Sequence, residues 1–98
     1  MAKVKKISVD EVKSTISIGA KKTVIARKPL SLAKLFLSNE GVLLERDRVL
    51  TEIWGRTDSF TARSMDVYVN NLRRMIEGSG FEIICVKKKG HIFKRKEA

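Results

Sequence analysis

Few residues of this sequence could do covalent or metal chemistry, and their spacing argues against it. His91 is the sole histidine and Cys85 the sole cysteine. One of each builds neither a metal cage nor a supported Cys–His pair. His91 reads as packing at the base of a hairpin or touching a phosphate, and Cys85 as a small core residue. The "GSG" at 78–80 lacks the lysine and flanking elements of a phosphate-binding loop. Glu45 and Asp47 stand at the start of a helical segment, where carboxylates suit the helix dipole. No enzyme activity, cofactor or metal is expected, and the chemistry left to consider is recognition.

Recognition chemistry concentrates in "RSMDVYVNNLRRMIE", residues 63–77. At helical spacing Met65, Val69, Leu72 and Ile76 fall in one narrow arc and form a core-facing stripe. Arg63, Val67, Asn70 and Arg74 fall opposite, with Asn71 at their edge. Tyr68 and Met75 border the core arc, and Asp66 and Arg73 lie on the other flank. An outward valine gains nothing from water, and two adjacent asparagines are poor helix formers. A DNA major groove gives these residues a use. Asparagine pairs with an adenine edge, a small apolar side chain meets a thymine methyl, and arginines hold phosphates or read guanine. The bland alternative is a neutral surface that tolerates asparagine.

The elements that position this face can be read along the chain. Residues 5–25 hold three short β-like runs, "KKISV", "STISI" and "TVI", parted by "DEVK" and "GAKK". A first helix starts near Arg27, with Pro29 in its first turn and Gly41 just past its end. "VLL" makes a brief extended link. A second helix, "RDRVLTEIW", runs from Arg46 to Trp54 with an apolar stripe, and Gly55 ends it. The polar loop "RTDSFTA" offers Asp58, Ser59 and Thr61 as caps for the third helix, about 61–77. After the glycine break, "FEIICV" and "HIFKR" flank "KKKG" as a hairpin with a basic tip. Lys87, Lys88 and Lys89 repel one another there, a cost that an anionic partner would relieve. Three strands, three helices and a hairpin predict an α+β winged helix-turn-helix. It has a small N-terminal antiparallel sheet (1–25), a three-helix core (26–77) and a β-hairpin wing (81–95).

Global composition agrees. The 98 residues fit one small domain, and a 43% hydrophobic share fits a folded chain. No apolar run reaches membrane-span length and no secretory leader is visible, so a cytoplasmic protein without membrane contact is expected. The net charge of +10 is uneven: +6 over residues 1–28, −1 over 29–61 and +5 over 62–98. Positively charged ends point to a polyanion, nucleic acid first. Over 1–28, lysines that guard exposed strand edges explain the charge equally well. Aromatic residues are 6% of the chain and sit mostly at core positions, which disfavours a single-stranded RNA reader.

"LLERDRVLTEIWG", "ARSMDVYVNNLRRMIE" and "IICVKKKGHIFK" together resemble the DNA-binding effector domain of OmpR/PhoB-type response regulators. The resemblance covers essentially the whole chain. It implies a winged helix-turn-helix that binds duplex DNA and regulates transcription. It implies that Val67 and Asn71 face bases, and that Trp54, Arg63, Tyr68 and Asn70 contact or order the backbone. Lys87 would approach the minor groove, the loop 55–62 would meet RNA polymerase, and Asp66 would pair with a nearby arginine. Family members often bind tandem sites as dimers. The sequence departs from the family pattern where Lys88 replaces a wing glycine, His91 a tyrosine, and Asn70 and Asn71 two arginines. The 98 residues hold no counterpart of the receiver domain that precedes this module in the family.

The candidate DNA contacts are thus Trp54, Arg63, Val67, Tyr68, Asn70, Asn71, Arg74, Lys87, Lys88, Lys89 and His91. The recognition helix is expected in the major groove, and the wing, 86–91, on the backbone or in the minor groove. The alternatives are a DNA-architectural or excision-type factor of the same fold, and a basic RNA- or ribosome-associated protein.

Overall fold

The computed structural model describes residues 4–96; residues 1–3 and 97–98, the outermost ends of the expected domain, lie outside the described residues. The N-terminal strands are β1 (Ile7–Asp10), β2 (Thr15–Ile18) and β3 (Lys21–Val24), paired antiparallel in the order β1-β2-β3. The first turn is closed by Asp10, whose Oδ1 accepts the N–H groups of Val12 and Lys13 at 3.0 and 3.1 Å. The second is shorter than "GAKK" suggests. Gly19, at φ +61, leads a two-residue turn, so Lys21 and Lys22 already belong to β3.

Helix α1 (Arg27–Ser38) follows and buries Leu30, Leu32, Ala33 and Phe36. The "VLL" link is more than a link. Strand β4 (Leu43–Glu45) pairs with the last strand of the chain and makes a second three-stranded sheet, in the order β4-β6-β5. The wing hairpin, β5 (Phe81–Val86) and β6 (Gly90–Arg95), thus carries a third strand from the middle of the sequence.

Helix α2 (Arg46–Val49) widens into a π-helical segment, Leu50–Trp54, where one continuous α-helix was expected. Gly55, left-handed at φ +73, ends it. Helix α3 spans Ser59–Met75, so it starts earlier than 61 and shortens the polar loop to Gly55–Asp58. Its start is a reciprocal cap. Asp58 Oδ1 accepts the Thr61 N–H at 2.9 Å, and Thr61 Oγ1 accepts the Asp58 N–H at 3.1 Å. At its other end the fully buried Ser79 donates its hydroxyl to the Ile76 carbonyl at 2.5 Å, and Gly78 is left-handed.

Met65, Val69, Leu72 and Ile76 are each at most 4% exposed and join Phe36, Leu44, Ile83 and Phe93 in the core. The helical spacing therefore placed the inner stripe of α3 correctly. Cys85 departs from expectation: it is exposed. It lies on the outer strand β5 one pair short of the closing pair, Val86–Gly90, where nothing covers it.

Candidate nucleic-acid interface

The face of α3 opposite its core stripe is open to solvent. Arg63, Asn70, Asn71 and Arg74 are exposed, and Val67 remains 50% exposed. The helix thus has four anchors on one side and five uncovered side chains on the other. Trp54 and Tyr68 border this face. Their rings stack at 5.8 Å with 16° between planes, and the Lys28 ammonium sits 5.7 Å from the Trp54 ring centre. Both rings are half-buried against the core, so packing accounts for them and leaves their outer edges beside α3.

The wing turn carries Lys87, Lys88 and Lys89, all exposed. Lys89 N–H bonds the Val86 carbonyl at 3.0 Å, and Lys88 is left-handed at φ +64. This is the third position of a turn that calls for glycine. Where the resemblance implies a glycine, Lys88 keeps the left-handed bend. Gly90, next to the turn, is under a different constraint. A Cβ there would lie 1.9 Å from the Leu44 carbonyl oxygen, so β4 and β6 can approach only because residue 90 has no side chain.

His91 must be withdrawn from the candidate contacts. It is 6% exposed, paired in register with Leu44 and Cys85, and edge-on to Phe36 at 6.5 Å between ring centres. Where the resemblance implies a tyrosine, a core histidine stands at the wing base. Burial, followed by the charges of Arg73 and Arg46, lowers its pKa against a weaker opposing pull from Asp66, so the ring is neutral near pH 7.

Two arginines outside the sequence-derived set tie the interface together. Arg46 Nη1 bonds Asp66 Oδ1 at 3.0 Å, the pairing expected for Asp66, while the Arg46 backbone N–H bonds the Lys89 carbonyl at 3.0 Å. One residue at the start of α2 thereby holds both α3 and the wing turn. Arg73 Nε bonds the Ile83 carbonyl on β5 at 2.9 Å. Helical spacing puts Arg73 on a flank, and nothing in the sequence says that β5 lies beside it. Among the described residues no group of three or more His, Cys, Asp and Glu side chains could hold a metal ion, and no helix is long and apolar enough to cross a membrane.

Residues 20–93 match the family model described as "Transcriptional regulatory protein, C terminal". The chain belongs to that family. Within the family it is 36% identical over 90 residues to the transcriptional regulatory protein RprY of Bacteroides fragilis, covering 91% of this chain and 38% of RprY. The chain spans less than two-fifths of the length of the curated relatives it matches. Its fold superposes on the DNA-binding domain of Bacillus subtilis CssR with a TM-score of 0.74, at 23% identity and over 90% of this chain and 99% of that one. It superposes equally on the DNA-binding domain of Klebsiella pneumoniae RstA, solved in complex with the RstA box, with a TM-score of 0.73 at 22% identity and over 90% of each chain. The winged helix-turn-helix read from the element order is the fold of this effector-domain family.

Proposed function

We propose that this chain is the DNA-reading unit of a transcriptional regulator: a single winged-helix domain that binds duplex DNA in a sequence-specific way. In this reading α3 enters the major groove. Val67 and Asn71 meet base edges, and Arg63, Asn70 and Arg74 meet the flanking backbone. Trp54 and Tyr68 order the backbone beside α3, and Lys87–Lys89 follow phosphates or the minor groove. The observation that carries it is the uncovered Arg63/Val67/Asn70/Asn71/Arg74 face on a helix whose other side is locked into the core. The RstA domain of the same fold, solved with the RstA box, supports it. On the same reading, RNA polymerase meets the 55–62 segment, where Phe60 is 81% exposed, and two copies pair on tandem sites.

The test is a titration of labelled random-sequence duplexes, followed by selection of the bound fraction. Affinity for duplex should fall steeply with salt as counterions are released. Replacing Lys87, Lys88 and Lys89 together with alanine should flatten the logarithmic salt slope by roughly 0.9 for each lysine that meets a phosphate. Preference for single-stranded RNA over duplex at equal ionic strength would end this reading, and an unchanged slope in the triple variant would remove the wing from it.

A further inference from the structure

Strand β5 is the outer strand of its sheet, so half of its backbone groups face away from β6. Which half follows from the bonds at the sheet's ends. Lys96 N–H donates to the Gly80 carbonyl at 2.8 Å, which makes Gly80 and then Glu82 and Ile84 the residues bonded to β6. Phe93, the partner of Ile83, turns its carbonyl the other way and accepts from Gly41 N–H at 2.7 Å. The Ile83 carbonyl therefore points out of the sheet, and Arg73 of α3 takes it at 2.9 Å. From the same guanidinium, Nη1 reaches Asn70 Oδ1 at 3.4 Å, on the outward face of α3.

We propose that Arg73 is a positioning residue for DNA recognition, one that fixes the wing hairpin relative to α3 and orients the Asn70 amide. The proposal rests on the DNA-binding reading given above. A half-buried guanidinium clamped to a strand carbonyl is a rigid strut, because Arg holds its donors in a fixed plane. It sets where the lysine-tipped turn stands when α3 is seated. The Asn70 Oδ1 is turned toward Arg73 and shares one of its two lone pairs with that guanidinium. The two-point adenine contact uses both the oxygen and the nitrogen of an asparagine amide. Arg73 therefore competes with an adenine for the Asn70 oxygen, whereas Asn71 carries no such partner among the described residues, so adenine reading falls first to Asn71.

The deciding variants are Arg73→Lys, which keeps the charge but loses the planar fork, and Arg73→Met, which keeps only the apolar stem. Both are compared with wild type, in the full chain, on selected and random duplexes across a salt series. Both variants should lose about tenfold in the ratio of specific to non-specific affinity, the scale of one charged hydrogen bond. Arg73→Lys should keep its salt slope and its random-duplex affinity. The amide resonances of Lys87–Lys89 should also shift in the DNA-free Arg73→Lys protein. If Arg73→Lys behaves as wild type while Arg73→Met only flattens the salt slope, Arg73 is a phosphate contact and the proposal is overturned. Hydrogen exchange at the Arg73 Nε–H of the wild-type protein checks the strut with no variant at all. Protection beyond that of Arg63 and Arg74 supports it, and exchange as fast as theirs overturns it. If wild type shows no duplex specificity, the functional reading fails, while the exchange and wing shifts still judge the strut.

Discussion

The two halves of the proposed DNA surface are built on opposite plans. Helix α3 is specified by its own sequence: a reciprocal Asp58–Thr61 cap, four apolar anchors at helical spacing, and a Gly-Ser-Gly stop. The wing is specified at a distance. Its central strand β6 is held on one side by its hairpin partner β5 and on the other by β4, more than forty residues earlier in the chain. Its turn holds Lys88 in a backbone conformation that L-residues avoid. The recognition helix should thus tolerate change at single positions outside its anchors, whereas the wing stands or falls on close backbone contacts.

The largest effect that would break this contrast is expected at Gly90. Gly90→Ala forces a Cβ into the Leu44 carbonyl and should destabilise the fold by about 3 kcal/mol or more in urea denaturation. Gly78→Ala, at the end of α3, meets nothing within 4 Å and costs only the left-handed backbone, about 1–2 kcal/mol. Equal losses at the two glycines would remove the distinction between a locally and a distantly specified half.

Asn71→Ala should next reveal whether α3 reads bases. On selected duplexes it should lose roughly 1–3 kcal/mol of discrimination at one base pair, with little change on random duplex. A uniform loss on all sequences would show that Asn71 meets only backbone. In the wing, Lys88→Gly should relieve the turn and raise stability by about 1 kcal/mol, while removing one cation from the tip. A lower urea midpoint in Lys88→Gly would mean that the turn is unstrained.

The smallest effect is an order of events in acid. His91 has its folded pKa lowered below about 6.5 by burial, then by Arg73 and Arg46. The unfolded chain therefore binds its proton first. The stability due to a neutral His91 is complete above pH 6.5 and is lost as pH falls from there through the folded value. Asp58 has its folded pKa lowered below about 3.8, first by the Thr61 backbone N–H and then by its bond to Arg56. Its contribution is complete above that range and disappears only as pH falls through the lower folded value. Amide exchange followed from pH 7 to pH 3 should open β4 and β6 before the first turn of α3. The reverse order would contradict both assignments.

Much of α3 was legible in the sequence because a helix face is set by residues three and four apart, and so were the three strands of the first sheet, which pair in chain order. The outward set Arg63, Val67, Asn70, Asn71 and Arg74 followed from the same arithmetic. Strand β4 was not legible, because "VLL" is too short to announce a strand and its partner lies at the other end of the chain. His91 was misplaced as a contact and Cys85 as core for a related reason. Alternation along a strand tells which face a side chain takes, but not how far the covering layer extends along that face.

Sequence alone determined the order of the elements other than β4, the inner stripe of α3, the basic wing tip and the family, since each depends on local spacing or on residue identity. Only the tertiary structure decided that β4 completes the wing sheet, that Gly90 must lack a side chain, and that Arg46 and Arg73 brace the surface. Those features arise where segments distant in the chain meet at hydrogen-bond distance, and no local periodicity encodes such a meeting.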